Sequence, residues 1–422
     1  MAAAAATTTA TAATEPTWPE LLGSNNWETL LDPLNLHLRN LILRCGDLIQ
    51  ATYDAFNNDQ NSLYCGYSRY GKSSFFNKVM FYPNPEHFTV PSFLYATARV
   101  SVPEGFILHS LSREKRDRES NWIGYIAVTS DGRAKELGRR EIYVVWRGTT
   151  RDLEWINVLG AAPQSATGLL SAESLGQLKN DGSSSSSDED DEHTPKVMRG
   201  WLTIYTSDDP DSPFTKNSAR TQVLTKVKEL LHLYKDENPS VVLVGHSLGA
   251  SLSIVSAFDL VENGVTNVPV AAFVFGSPQV GNKAFNERFK KFPNLKVLHV
   301  RNVIDLITRY PGRLLGYENT GVELVIDTRK SPSLKDSKTP GDWHNLQAML
   351  HVVAGWNGKK GGFEMKVKRS LALVNKSCEF LKDEYHVPGS WWVEKNKSMV
   401  RKEDGEWVMG AADEEDIPVP ED

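Results

Sequence analysis

Apolar blocks alternate with polar connectors along this chain, and the period of each block predicts its structure. From about Asn35 to Phe56, residues Leu38, Leu41, Ile42, Cys45, Leu48, Ile49 and Thr52 recur at helical spacing, one apolar stripe that predicts an amphipathic helix. A polar, tyrosine-rich stretch follows to about residue 90. Trp122 to Val128 (WIGYIAV) and Ile142 to Trp146 (IYVVW) are dense in β-branched and aromatic residues. They predict a hairpin joined by a charged turn at Asp131-Gly132. A second helical stripe, Val223, Val227, Leu230, Leu231 and Tyr234, precedes the apolar run Val241 to Val244. Val270 to Phe275, Val297 to Val300 and Val322 to Ile326 are further strand candidates. Strands alternating with helices through this middle region point to a largely parallel sheet.

Two segments lack that patterning. Asn180 to Glu192 holds a run of serines followed by DEDDE, with too little apolar content to offset the entropy of ordering. The end of the chain, from Asp413, is acidic with Pro418 and Pro420. The expected organisation is therefore a tail over residues 1–17, one domain over 18–407 with an unstructured acidic loop at about 178–194, and an acidic tail over 408–422.

Composition narrows the function classes. Hydrophobic residues are 40% and charged residues 24% of 422, values of a soluble globular protein. A net charge of -6 argues against a nucleic-acid partner. No run reaches the roughly 20 apolar residues that a membrane span requires. Cys45, Cys65 and Cys378 form too sparse a set for a disulfide framework, so free thiols and a reducing compartment are expected. The alanine- and threonine-rich start lacks the features of a secretory signal. A cytoplasmic location is expected, with a plastid transit peptide as the competing reading: no acid precedes Glu15, but no arginine does either.

The chemistry concentrates at Val241-Val-Leu-Val-Gly245-His246-Ser247-Leu248-Gly249-Ala250. This is G-x-S-x-G between an apolar strand and a helix, the context in which a serine is lifted off a sheet as a nucleophile. Residues two positions either side of Ser247 must be small, because larger side chains would collide across so sharp a turn. The bland alternative is a serine that merely caps the helix. A nucleophilic serine needs a base, and this fold supplies a carboxylate and then a histidine further along. Among Asp259, Asp305, Asp327, Asp336 and Asp342, Asp305 is best placed, on the loop leaving the strand Val297 to Val300, where catalytic groups gather in open sheets. Asp327 is the runner-up. Of His344, His351 and His386, His344 is preferred, at the beginning of a helix read from Asp342-Trp343-His344 onward, with His351 next. The oxyanion needs donors. Leu248 offers its backbone N–H, and Thr149, in the loop after Val144-Val145-Trp146-Arg147-Gly148, offers an N–H and a hydroxyl. Such a mechanism calls for no metal and no cofactor.

Taken together, WRGT (Trp146 to Thr149), VGHSLGA (Val244 to Ala250), FGSPQVGN (Phe275 to Asn282), the Asp305 loop and WHNLQAMLH resemble the fungal-type (class 3) lipase family, and within it most closely the plant class II phospholipases A1. The resemblance runs from about Trp18 to Trp407. It implies an α/β-hydrolase fold: a central, mostly parallel sheet with helices on both faces, a helical N-terminal extension and a lid segment. It also implies Ser247, Asp305 and His344 as the triad, Thr149 and Leu248 as the oxyanion hole, and a lid at about 150–165 containing Trp155 and Ile156. The implied substrate is a phospholipid cut at its sn-1 acyl ester, with transient contact to a membrane or lipid surface. A galactolipid or monoacylglycerol lipase, and a catalytically silent lipase-like signalling protein, are the alternatives. The chain departs from fungal relatives at Thr308, where they often have proline, and over Val197 to Trp201, where they often have histidine.

Gly66-Tyr-Ser-Arg-Tyr-Gly71-Lys72-Ser73 also satisfies G-x-x-x-x-G-K-S. A phosphate-binding loop must leave an apolar strand and open a helix. Here Asn57 to Tyr64 is polar and follows a helix, so a surface loop is expected and no nucleotide partner.

Overall fold

The apolar runs lie side by side in one sheet in a computed structural model, which describes residues 15–81, 84–98, 120–149, 162–180, 193–392, 399–401 and 407–409. Its strands are β1 (Phe88–Ala96), β2 (Asn121–Thr129), β3 (Glu141–Trp146), β4 (Ser240–His246), β5 (Val270–Phe275), β6 (Leu295–Asn302) and β7 (Val322–Ile326). They are ordered β1 to β7 across the sheet. β1, β2 and β3 pair antiparallel, and every neighbour from β3 to β7 pairs parallel.

Both faces of the sheet are covered. On one, α1 (Leu36–Ala55) and α5 (Leu346–Gly355) pack against Tyr143, Val145, Val242, Val244 and Phe273. On the other, α3 (Ala219–Leu233) and α4 (Leu248–Glu262) pack against Val144, Val241, Leu243 and Val274. Consecutive strand residues thus enter different cores, which is why β4 and β5 read as continuous apolar runs and not as alternating ones. α1 begins where Asn35 accepts hydrogen bonds from the N–H groups of His37 and Leu38, an N-cap that satisfies two otherwise orphaned donors.

The structure differs from the reading in several details. Asp131-Gly132 is not a hairpin turn: it opens helix α2 (Asp131–Leu137), capped by the Ser130 side chain and ended by Gly138 in the left-handed region. Ser before Asp-Gly, with a glycine after the last turn, carries helix start and stop signals as well as a turn signal. β1 was not legible as a strand. Pro91 interrupts it, and its register with β2 shifts between Thr89 and Ser92, as a bulged edge strand permits. Residues 178–180 end the helix Ala172–Asn180, and 408–409 lie in a strand, Trp407–Met409, paired with Met399–Arg401. Pro163–Ser165, at the end of the expected lid span, forms a strand paired with Lys196–Met198. Trp155 and Ile156 lie outside the described residues, as do 1–14, 181–192 and 410–422.

The phosphate-loop pattern follows α1 through a series of turns. Gly66 (φ 87) accepts the Trp122 N–H at 2.7 Å, and a Cβ there would lie 3.1 Å from the Asn121 amide. Its glycine serves the start of β2.

Candidate active site

β4 delivers the nucleophile candidate and α4 carries the chain away from it. Between them Ser247 has φ 58 and ψ -124, a sparsely populated conformation that persists only where its surroundings enforce it. The enforcement is visible at the flanking glycines. A Cβ on Gly245 would lie 2.0 Å from the Gly249 carbonyl oxygen, and one on Gly249 would lie 2.5 Å from that of Trp146. The Ser247 side chain makes no capping hydrogen bond to the helix it precedes. Its Oγ is buried and has no hydrogen-bond partner among the described residues.

The structure brings Asp305 and His344 together. His344 Nδ1 and Asp305 Oδ2 are 2.7 Å apart, with both residues buried. The other carboxylate oxygen accepts the Ile307 N–H at 3.0 Å, and the Thr308 hydroxyl donates to the Asp305 carbonyl at 2.9 Å. A carboxylate at Nδ1 fixes the proton there and leaves Nε2 as the free acceptor. That Nε2, like Ser247 Oγ, is buried without a hydrogen-bond partner among the described residues. Both residues border the same short stretch of backbone, Phe275-Gly276. Ser247 N–H donates to the Phe275 carbonyl at 3.1 Å, and a Cβ on the next residue, Gly276 (φ 54), would lie 2.8 Å from His344 Cε1. His344 does not open a helix as read. It sits between a short helix, Pro340–Trp343, and α5, whose cap is Asn345.

The other candidates are engaged elsewhere. Asp259 lies in the last turn of α4, held by Arg220 and Tyr205. Asp327 holds Arg329, and Asp336 is exposed. Asp342 accepts a hydrogen bond from the Ser337 hydroxyl. His351 is buried against Ser331 at 2.8 Å, and burial pushes its imidazole down to about 4. His386 is exposed.

Thr149 stands three residues past the end of β3, half-buried, and Leu248 supplies the first N–H of α4, which no helical carbonyl can take. The turn that leads from β3 to Thr149 is tightly held. The Arg147 guanidinium is buried, donates to the carbonyls of Trp122 and Gly148 at 3.1 and 2.8 Å, and lies 3.7 Å over the Phe56 ring. A Cβ on Gly148 would be 2.0 Å from the Tyr53 hydroxyl and 2.6 Å from the His246 carbonyl.

Three residues that sequence reasoning missed complete the site. His246 Nε2 lies 2.8 Å from the His344 carbonyl oxygen, which can only accept, so Nε2 carries the proton. Nδ1 is then an acceptor, and the Tyr53 hydroxyl donates to it at 2.7 Å. Burial, then the nearby His344, hold the His246 imidazole well below its ordinary range, and burial raises the Tyr53 phenol, so both stay neutral. His299 Nε2 accepts the Ser277 N–H at 3.0 Å and is driven down to about 4 by burial. Tyr53 falls four residues after Ile49 on the α1 stripe and reads as one more core aromatic. His246 occupies the variable position of G-x-S-x-G. Neither spacing signals that the two meet.

Comparison with known proteins gives concordant matches. The model of the family described as Lipase (class 3) matches residues 143–315. A protein of Arabidopsis thaliana named Phospholipase A1-IIdelta is 64% identical over 411 residues, 96% of this chain and 99% of its own. One of Oryza sativa subsp. japonica named Phospholipase A1-II 5 is 50% identical over 409 residues, 96% of this chain and 84% of its own. A solved triacylglycerol lipase from Penicillium expansum overlaps 69% of this chain and 80% of its own at 16% identity, with a TM-score of 0.42, too loose a superposition to carry a further point.

Proposed function

The chain belongs to the class 3 lipase family and is a serine hydrolase of lipid carboxylic esters, and from that premise we propose that it removes the sn-1 acyl chain of a glycerophospholipid. His344 Nε2 takes the proton of Ser247 as Oγ attacks the ester carbonyl. The N–H groups of Leu248 and Thr149, with the Thr149 hydroxyl, receive the oxyanion. The tetrahedral intermediate collapses, the lysophospholipid oxygen leaves with the proton from His344, and an acyl-serine remains. Water then attacks the acyl carbon, giving its proton to His344, and the fatty acid departs as Oγ recovers a proton. Asp305 orients the ring and stabilises imidazolium.

One observation carries this reading: Asp305 holds His344 Nδ1 at 2.7 Å while His344 Nε2, like Ser247 Oγ, is buried with no bond to a described residue. Hydrogen bonds of this kind tighten once substrate arrives. The sn-1 preference is supported by the names of the two relatives, both phospholipases A1. Transient contact with a lipid surface belongs to the same proposal, since the substrate is aggregated in water. So does residence in the cytoplasm, supported by three free thiols and tested by locating a fluorescent fusion. Among the described residues no helix is long and apolar enough to cross a membrane.

The test is acyl release from phosphatidylcholine labelled separately at each position, with Ser247→Ala alongside. Release from sn-1, abolished in the variant, is expected. Release from sn-2 alone, or equal activity in the variant, overturns the proposal. Faster turnover of a galactolipid or a monoacylglycerol reassigns the head group.

A further inference from the structure

Immediately after Asp305 the chain turns unusual side chains toward water. Leu306, Leu314 and Leu315 are 56%, 103% and 53% exposed, whereas the other large exposed apolar residues stand singly along the described chain. The segment is not a loose loop. Ile307 and Thr308 are buried and Tyr310 packs on the core beneath. Gly312 (φ 108) and Gly316 (φ 80) bracket a 3-10 turn, Arg313–Leu315. The Gly312 N–H donates to Gln279 Oε1 at 2.9 Å, and the Gln279 N–H donates to the Tyr310 carbonyl at 2.8 Å. A fixed turn therefore holds the leucines outward.

Charge accompanies them. A cavity of about 320 Å³ opens in the same segment, lined by Gln279, Arg301, Thr308, Arg309, Arg313 and Asn319. Arg301 is paired with Glu323 at 2.9 Å. Arg309 and Arg313 are exposed and make no ion pair with a described residue. Leucines that gain by leaving water, beside guanidinium groups suited to phosphate oxygens, match the interface of an anionic phospholipid layer in both respects.

We propose that Leu306 to Leu315 docks this protein on the surface of an anionic phospholipid bilayer. The three leucines enter the boundary between head groups and acyl chains, and Arg309, Arg313 and the cavity between them receive head-group phosphates. The inference rests on the lipid-hydrolase reading and adds to it a defined surface and a preference for negative charge. Because the segment starts at the residue after Asp305, docking through it brings the catalytic end of the sheet against the lipid.

Binding is separable from hydrolysis in Ser247→Ala protein sedimented with vesicles of phosphatidylcholine alone or mixed with phosphatidylserine. Tighter binding to the mixed vesicles is expected. Adding Arg309→Gln and Arg313→Gln should weaken binding to the mixed vesicles by about tenfold or more, with little change on the neutral ones. Adding Leu314→Ser and Leu315→Ser instead should weaken binding to both by about tenfold. Equal binding of parent and variants overturns the docking surface while phospholipid turnover by the active protein still stands. Surface-dependent binding without any phospholipid turnover overturns the hydrolase reading and leaves this one. Weaker binding with a matching fall in thermal midpoint in both variant pairs assigns the segment to the fold and overturns the proposal. So does a dimer in light scattering that the leucine variants dissociate, which assigns the leucines to a second copy.

Discussion

Two buried carboxylates lie near the two ends of α4, Asp259 in its last turn and Asp305 on the loop after β6, and they are finished in opposite ways. At the C-terminal end Asp259 is closed: Arg220 takes its two oxygens at 2.9 and 2.8 Å, Tyr205 donates at 2.9 Å and Asn263 at 2.9 Å. At the N-terminal end Asp305 holds one nitrogen of His344, and the chain of bonds stops there, with His344 Nε2 and Ser247 Oγ unspent. A buried polar group left unpaired is costly to the fold. The first arrangement is what stability selects, and the second is tolerated where the open valence has chemistry to perform. His246 makes the same point within the site itself. It is as buried as His344 but has both nitrogens bonded, and so can orient but not react.

The sharpest way to break this contrast is to remove the open valence. Ser247→Ala should lower kcat by a factor on the order of 10⁵ to 10⁶ while urea unfolding shows stability equal to or above the parent's, since a buried hydroxyl without a partner is removed and no bond is lost. Asp305→Asn keeps the contact but offers the wrong partner to Nδ1, and should cost about 10⁴ in kcat, read from turnover of a water-soluble ester. At the closed end the signature inverts. Arg220→Ala leaves the buried Asp259 carboxyl without its cation and should cost about 3–5 kcal/mol of unfolding free energy, with kcat per folded molecule within a few-fold of the parent.

Acid sharpens the same distinction. His299 and His351 are held near 4 by burial, below the ordinary imidazole value of about 6.5. The unfolded chain therefore takes up protons that the native state refuses. Their stabilisation is complete above about pH 6.5 and is lost as the pH falls toward 4, on the order of 2–3 kcal/mol each. Denaturant titrations across that window should show it, and a flat profile would contradict it. The smallest effect expected is that of Tyr53→Phe. Removing the donor to His246 should slacken the His344 carbonyl contact and lower kcat/KM about tenfold, roughly 1.4 kcal/mol. KM should be nearly unchanged, because Tyr53 lies behind the reacting groups.

Much of the fold was legible along the chain because its signals are local. The stripe from Leu38 to Thr52 and the cap at Asn35 specify α1. The runs Val241–Val244 and Val270–Phe275 could be buried on both faces only in a covered parallel sheet. Pro91 hid β1, and the Ser130 cap turned an apparent hairpin turn into α2, because each of those residues has two local meanings that only its neighbours in space resolve. At the site, Gly245 and Gly249 declared the elbow by themselves, since nothing larger fits the turn.

What the sequence determined, then, was the presence of a sharply turned serine and the short set of acids and histidines able to serve it. Which of them meet was decided by tertiary structure. Asp305 and His344 are 39 positions apart, and Tyr53 and His246 are 193 apart. Pattern along a chain reports burial and turn geometry. A hydrogen bond between distant elements depends on how the sheet twists and the helices dock, and no periodicity records that.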